Sequence, residues 1–195
     1  MQTATLPLAA LSNIQQTSRF TQPSVEPMWK DTTVTTNADG QEDAYSIAPD
    51  GFVWSYTVDS ESGRTGRLIT TGLRASAFAL GKSPDGHNIV IAADGVYVHF
   101  VVETGDPKQR WSTPRSVSFP AAQQKVVAVE KLFTQVLVGN LFVGVLARHH
   151  GTKGKDFYQF WEAIWAGGDM VFSHSPLKIA HPKSIWLKKL ANIRI

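Results

Sequence analysis

The 195-residue chain combines a hydrophobic fraction of 43% with 18% charged residues, a balance that excludes a disordered protein and predicts a domain with a core. It has no cysteine, which excludes disulfides and cysteine-ligated zinc and, since no basic signal sequence precedes an apolar run, predicts a cytoplasmic protein. The net charge of +3 is uneven: residues 151–195 carry a net +4. No apolar run is long enough to predict a transmembrane segment.

Residues 1–27 are rich in Thr, Gln, Ser, Ala and Pro, and we predict that they form an arm or linker. Residues 28–195 are predicted to be one all-β domain, because short alternating strands are separated by turn residues throughout. The predicted units span about residues 30–73, 75–119 and 125–166, with a partial fourth unit over 169–195.

The first two units share one order of strands and turns. The predicted strands of the first are Thr32–Asn37, Asp43–Ala48, Phe52–Val58 and Arg67–Thr71. Those of the second are Ala77–Leu80, Asn88–Ala92, Val96–Val102 and a strand that Trp111 opens. Apolar residues on both faces of Val96–Val102 indicate a sheet held between two neighbours.

The third unit is less regular. Its predicted strands are Lys125–Leu132, Gln135–Val138, Leu141–Ala147 and, after a polar loop over His149–Asp156, Phe157–Trp165. Two further segments, Asp169–Ser175 and Ser184–Leu190, are expected to form half of a fourth unit.

Glycine recurs at a fixed spacing: Gly51, Gly95 and Gly139 lie 44 residues apart. A period of this size, carried by antiparallel strands, is typical of a β-propeller blade, which must stack on copies of itself. The predicted structural turns are at Gly40, Gly51, Gly86, Gly95 and Gly139. Asp-Gly between apolar runs predicts a tight hairpin with positive φ.

The second unit resembles a WD40 repeat. Ser83-Pro84-Asp85-Gly86 is similar to the first hairpin turn of that family, and Val96–Gly105 is similar to its third strand and following turn. Trp54–Ser60 carries the weaker match of the first unit. The resemblance implies a β-propeller scaffold. His99-Phe100 and Ser55-Tyr56 stand where the family has Trp-Asp, so its His–Asp network is not implied.

Three complete units and a partial one fall short of the four blades of a closed ring. Closure through a partner or a second copy is therefore predicted, with an irregular self-closed domain as the alternative. The predicted function is a non-enzymatic scaffold that binds another protein or completes a ring by assembly. The alternative is a glycan-binding lectin, in which Arg67 and Arg110 would hold equivalent places in their units.

Aromatic residues are the first candidates for a binding surface. The predicted partner-binding residues are Trp29, Trp161, Trp165, Trp186, Lys188 and Lys189. For Trp161 and Trp165 the alternatives are core packing and one turn of helix. The basic tail that contains Trp186 has its own alternative, a final element packed on the domain with its lysines solvated. Trp54 and Trp111 are expected to pack in the core.

No catalytic residue, metal site or cofactor is predicted, and the sequence carries no strong signal for nucleic-acid binding. Each Asp that precedes a glycine is explained by turn chemistry. His149 and His150 are adjacent, so they cannot chelate one ion from a strand, and both are expected in a solvated loop.

Overall fold

The structure of the chain is a computed structural model. It describes residues 29–37, 39–58, 68–106, 108–117, 119, 126–137, 139–151, 154–172 and 177–179. The predicted arm over residues 1–27 lies outside these ranges. All regular secondary structure within them is β, arranged as 13 strands, which confirms the all-β prediction. None of the described segments forms a helix able to cross a membrane.

Three antiparallel sheets follow one another along the chain, and each is a meander of four successive strands. The first sheet consists of β1 (Lys30–Thr36), β2 (Glu42–Ile47), β3 (Phe52–Val58) and β4 (Leu68–Arg74). The second consists of β5 (Ala77–Lys82), β6 (Asn88–Asp94), β7 (Tyr97–Val102) and β8 (Arg115–Val117). These two sheets reproduce the strand order predicted for the first two units.

The third sheet is built from longer strands. It contains β9 (Val126–Leu137), β10 (Asn140–His150), β11 (Asp156–Ala166) and β12 (Asp169–Phe172), with β13 (Leu177–Ile179) added to β11. Residues 126–137 form one strand with irregular register, where the sequence predicted two strands. The loop predicted over His149–Asp156 is shorter than expected, because β10 extends to His150 and β11 begins at Asp156.

The predicted partial fourth unit is wrong in its first half. β12 pairs with β11 in the register Ala163↔Phe172 to Ala166↔Asp169, so it is the fourth strand of the third sheet. Gly167 and Gly168 have φ of 59° and 83° and fold the chain straight back. β13 then pairs with the N-terminal half of β11. The segment Ser184–Leu190 lies outside the described residues.

The turn glycines adopt left-handed backbone conformations. Their φ angles are 80° at Gly40, 81° at Gly51, 89° at Gly86, 62° at Gly95 and 77° at Gly139. At Gly51 the turn is closed by a hydrogen bond from its amide to the carbonyl of Ala48 (2.9 Å), and the Asp50 carboxylate accepts the amide of Phe52 (2.9 Å). The Asp-Gly pair thus supplies both the turn conformation and a bond that fixes it.

The second sheet is buried on both faces, because it separates two apolar cores. β6 is buried from Asn88 to Ala93, with Ile89 and Ile91 in the core toward the third sheet and Val90 and Ala92 in the core toward the first. This matches the two apolar faces predicted for the second unit. The two faces of one strand therefore tie all three sheets together.

We expect Gly95→Val to lower the free energy of unfolding by about 1–3 kcal/mol, because a β-branched side chain strongly disfavours positive φ. No atom lies within 4 Å of a Cβ built at Gly95, so the cost comes from the backbone alone. Gly95→Asn is the control, since Asn tolerates this conformation. Chemical denaturation measures both; equal stability of the Val variant and the parent would contradict the prediction.

Candidate functional site

A buried ionic cluster fastens the first sheet to the second at one end of the strands. We call it the Arg110 cluster, and its members are Asp43, Tyr45, Thr57, Asn88, Glu103 and Arg110. The start of β2 and the end of β3 supply its residues from the first sheet. The second sheet supplies its residues from the start of β6 and from the segment after β7. Because neighbouring strands are antiparallel, these four strand ends lie at the same end of the two sheets.

The guanidinium of Arg110 bridges the two sheets. It pairs with the carboxylate of Asp43 on one side and with that of Glu103 on the other, where Nη2 and Oε1 are 3.0 Å apart. Nη1 donates to the hydroxyl of Thr57 at 2.8 Å. Asp43 is fully buried and the side chain of Arg110 is 12% exposed, so these charges are shielded from water.

Hydrogen bonds extend the cluster into the core. The hydroxyl of Tyr45 donates to Asp43 at 3.2 Å and accepts from Nδ2 of Asn88 at 3.2 Å. The ring of Trp111 packs edge-on against Tyr45 with centroids 5.9 Å apart, and the guanidinium of Arg110 lies over the Trp111 ring at 5.3 Å. Trp111 is thus a core residue, as the sequence predicted.

Burial and the neighbouring charges shift the pKa values of the cluster residues in opposite directions. Burial raises the pKa of Asp43 above its ordinary value, and Arg110 only partly offsets this effect. Burial would lower the pKa of Arg110, but the charge of Asp43 raises it on balance, so the guanidinium stays protonated. The pKa of Tyr45 is raised, chiefly by burial. The cluster therefore holds one permanent cation between two acids.

Four buried side-chain atoms at or next to the cluster have no hydrogen-bond partner in the part of the chain that the structure describes. They are Oδ1 of Asp43, Oδ1 of Asn88, Nε1 of Trp111 and Nδ1 of His87. Within the described ranges, no group of three or more His, Cys, Asp or Glu side chains could hold a metal ion. Chemically, the arrangement fixes how the first sheet sits on the second.

The outward face of the third sheet points away from the second sheet and carries exposed apolar side chains. Along β10, Val145 and Ala147 belong to the inner core, so Leu146 between them points outward, and its pairing partner Phe160 does too. Leu146 is only 2% exposed and Phe160 6%, so we call this pair the covered half.

The other end of the same face is open. Phe142, Ile164 and Val171 form a cross-strand row through the pairs Phe142↔Ile164 and Ile164↔Val171. Ile164 is 41% exposed and Val171 56%, and Phe142 is half-buried. We call these three residues the exposed row. One face thus combines a shielded end with an open one.

The structure separates the predicted partner-binding residues. Trp161 and Trp165 lie on β11, which excludes the helical turn, and both are buried (2% and 7%) in the core against the second sheet. Strand alternation turns them inward, so they are not available to a partner in this fold. Trp29 is half-buried before β1. The remaining three, Trp186, Lys188 and Lys189, lie outside the described residues.

Two further sequence expectations change. His149 is fully buried at the end of β10, where its Nε2 accepts the indole N–H of Trp161 at 3.3 Å, so the prediction of a solvated loop was wrong for it. His150 is exposed and bonds Asp156 at 3.0 Å. Trp54 is half-buried on the outward face of the first sheet, and its Nε1 donates to Asp50 at 3.1 Å.

The sequence singled out one member of the Arg110 cluster, and in a different role. Arg110 was the residue that a lectin would use to bind sugar, yet both of its carboxylate partners belong to the protein itself. Arg67, its proposed counterpart, lies outside the described residues. No sequence motif marks Asp43, Glu103 and Asn88 as members of one cluster, since they are far apart along the chain.

No protein-family model matches the chain, and no curated protein matches it. Among solved structures it is similar to an exo-β-1,3-galactanase from Clostridium thermocellum, with a TM-score of 0.44 and 11% sequence identity. The similarity covers 76% of this chain and 35% of that one, so the chain spans about a third of the length of that structure. A likeness this distant carries no argument about function.

Proposed function

We propose that this chain is a non-enzymatic, propeller-like interaction scaffold that binds a protein partner, the simplest being a second copy of itself, through the exposed row of the third sheet. The observation that carries the proposal is the exposure of Ile164 and Val171 side by side on a sheet face. Exposed neighbouring apolar side chains on a sheet commonly mark an interaction site.

The contacts between sheets support the propeller-like arrangement. The ammonium of Lys82 on β5 bonds the carbonyl of Thr36 on β1, and the hydroxyl of Thr134 on β9 bonds the carbonyl of Leu80 on β5. The first strands of the three sheets are therefore neighbours, as the innermost strands of successive blades are in a propeller. The WD40 resemblance of the second unit agrees with this arrangement.

The outward faces of the two end sheets are not open along their whole length. In the first sheet, Ala44 and its pairing partner Tyr56 point away from the second sheet and are 5% and 8% exposed. In the third sheet, Leu146 and Phe160 are shielded in the same way. These residues are already covered within the single chain, so the open part of the third sheet, the exposed row, is where a partner would bind.

The test replaces the exposed row with charge. We expect the parent to sediment as a multiple of 21.4 kDa, and the double variant Ile164→Lys, Val171→Lys to sediment as a monomer. The charges would lose their water at the contact, which disfavours association. Tyr97→Lys is the matched control, because Tyr97 is 62% exposed but lies on the second sheet.

The Tyr97→Lys control is expected to keep the unfolding midpoint of the parent. The double variant should match the midpoint that the parent shows at concentrations low enough to dissociate it, because association stabilises the folded state. A parent that sediments as a monomer at every concentration, like the double variant, would contradict self-association through this row. Equal dissociation of the Tyr97→Lys control would show that added charge, rather than the exposed row, controls assembly.

A further inference from the structure

The Arg110 cluster contains more acids than cations. One guanidinium, that of Arg110, faces the two carboxylates of Asp43 and Glu103, so the cluster has a net charge of −1 when both acids are ionised. The hydroxyl of Tyr45 stays neutral, because burial raises its pKa. All three charged side chains are shielded from water, and an unmatched charge in such a place is costly. The cluster therefore favours the uptake of one proton.

The hydrogen bonds of the two acids show which of them takes it. Glu103 accepts donors on both oxygens: Oε1 accepts from Nε and Nη2 of Arg110 at 3.1 Å and 3.0 Å, and Oε2 accepts the amide of Asn88 at 3.2 Å. Donors of this kind favour the ionised form. Asp43 accepts both the guanidinium and the hydroxyl of Tyr45 at a single oxygen, Oδ2. Among the described residues, its Oδ1 is buried without a partner.

A proton on Asp43 would also supply a donor that this part of the cluster lacks. Tyr45 donates its hydroxyl proton to Asp43 and accepts from Nδ2 of Asn88, so the two side chains meet at one hydroxyl. Oδ1 of Asn88 is a second buried acceptor without a donor in the described part of the chain. A carboxylate only accepts hydrogen bonds, whereas a protonated carboxyl also donates one. The protonated form of Asp43 therefore suits these surroundings better.

The influences on the pKa of Asp43 agree with this assignment. Burial is the largest influence and raises the pKa above its ordinary value, and the negative charge of Glu103 adds to the rise. The charge of Arg110 and the hydroxyl of Thr57 act in the opposite direction without cancelling it.

We propose that the folded protein binds one proton at Asp43, and that uptake of this proton as the pH falls strengthens the contact between the first and second sheets. Asp43 belongs to the first sheet, whereas Arg110 and Glu103 follow β7 of the second, so the proton removes excess charge from the place where the sheets meet. Its contribution to stability is complete below the unfolded pKa of an aspartate and is lost as the pH rises through the folded pKa. This device is independent of the exposed row.

An NMR titration of the Asp43 carboxyl carbon in the intact protein gives a direct test. Its midpoint should lie above the ordinary value of 3.8. Asp156 is the matched control within the same sample, because its bonds to His150 and Arg148 at the surface lower its pKa. Glu103→Gln removes the excess charge and should lower the midpoint of Asp43. A midpoint at or below 3.8 in the parent, or one that Glu103→Gln leaves unchanged, would overturn the proposal.

The effect on the contact between the sheets is measured with Asp43→Asn, whose side chain has a similar shape and binds no proton. Urea unfolding of both proteins between about pH 8 and about pH 4 should show the midpoint of the parent rising relative to that of the variant as the pH falls. A constant difference would refute the strengthening. If Asp43→Asn does not fold, the titration of Asp43 in the parent and in Glu103→Gln still decides whether the proton binds.

Discussion

Arg110→Met should lower the free energy of unfolding by about 3–5 kcal/mol, because it leaves two buried carboxylates without their cation. Asp43 is fully buried and the side chain of Glu103 is 9% exposed, so water cannot replace the guanidinium. Arg148→Met is the matched control. Arg148 also pairs with two acids, Glu130 and Asp156, but at the surface, where such a loss costs about 1 kcal/mol or less.

The pH dependence of the Arg110→Met variant gives a second signature. Burial already raises the pKa of Asp43 in the parent, and removal of the cation raises it further. A carboxyl whose pKa is higher in the folded than in the unfolded state destabilises the fold above its folded pKa. The destabilisation is relieved as the pH falls through that value. Urea titrations should therefore show the gap from the parent narrowing toward acid pH; a gap that stays constant would contradict this account.

Trp161→Ala should cost about 3–5 kcal/mol of stability, the range for emptying a large aromatic site in a core. The indole packs edge-on against Phe119 and Phe172, with ring centroids 5.7 Å and 6.1 Å away, and bonds His149. The variant also leaves His149 buried without that donor, which adds to the loss.

Ile164→Ala on the same strand is the control for Trp161→Ala, because Ile164 points outward and is 41% exposed. Its cost should stay below about 1 kcal/mol. Thermal or chemical denaturation compares the two. If Trp161→Ala instead keeps its stability and only loses a partner, Trp161 would be an interface residue, as the sequence predicted, and its burial would need another explanation.

Much of the strand pattern was predictable because local chemistry specifies it. The bounds of β3, Phe52–Val58, were predicted as the structure has them, between an Asp-Gly turn and a polar segment. β6 and β7 were predicted within two residues for the same reason. Where turn signals were ambiguous, as between Leu132 and Gln135, the sequence predicted two strands and the structure has one.

Two features were less predictable from the sequence: which strands pair, and which face of a strand packs in the core. β11 carries aromatic residues on both of its faces, so its composition alone does not tell whether Trp161 or Phe160 meets the second sheet. The assignment of β12 to the third sheet depends on a turn of two glycines that also fits a linker. The Arg110 cluster joins residues up to 67 positions apart, and only the stacking of complete sheets brings them together.

Among the strands that the structure describes, all except β13 pair with a strand adjacent in sequence, and none is shared between two sheets. Backbone pairing therefore closes only short loops, at a small entropic cost, and each sheet can complete its ladders while the next is still being synthesised. The slow step left is the docking of finished sheets. Such a chain can gain or lose a whole unit by duplication or deletion without a change in the strand pairing of the units that remain.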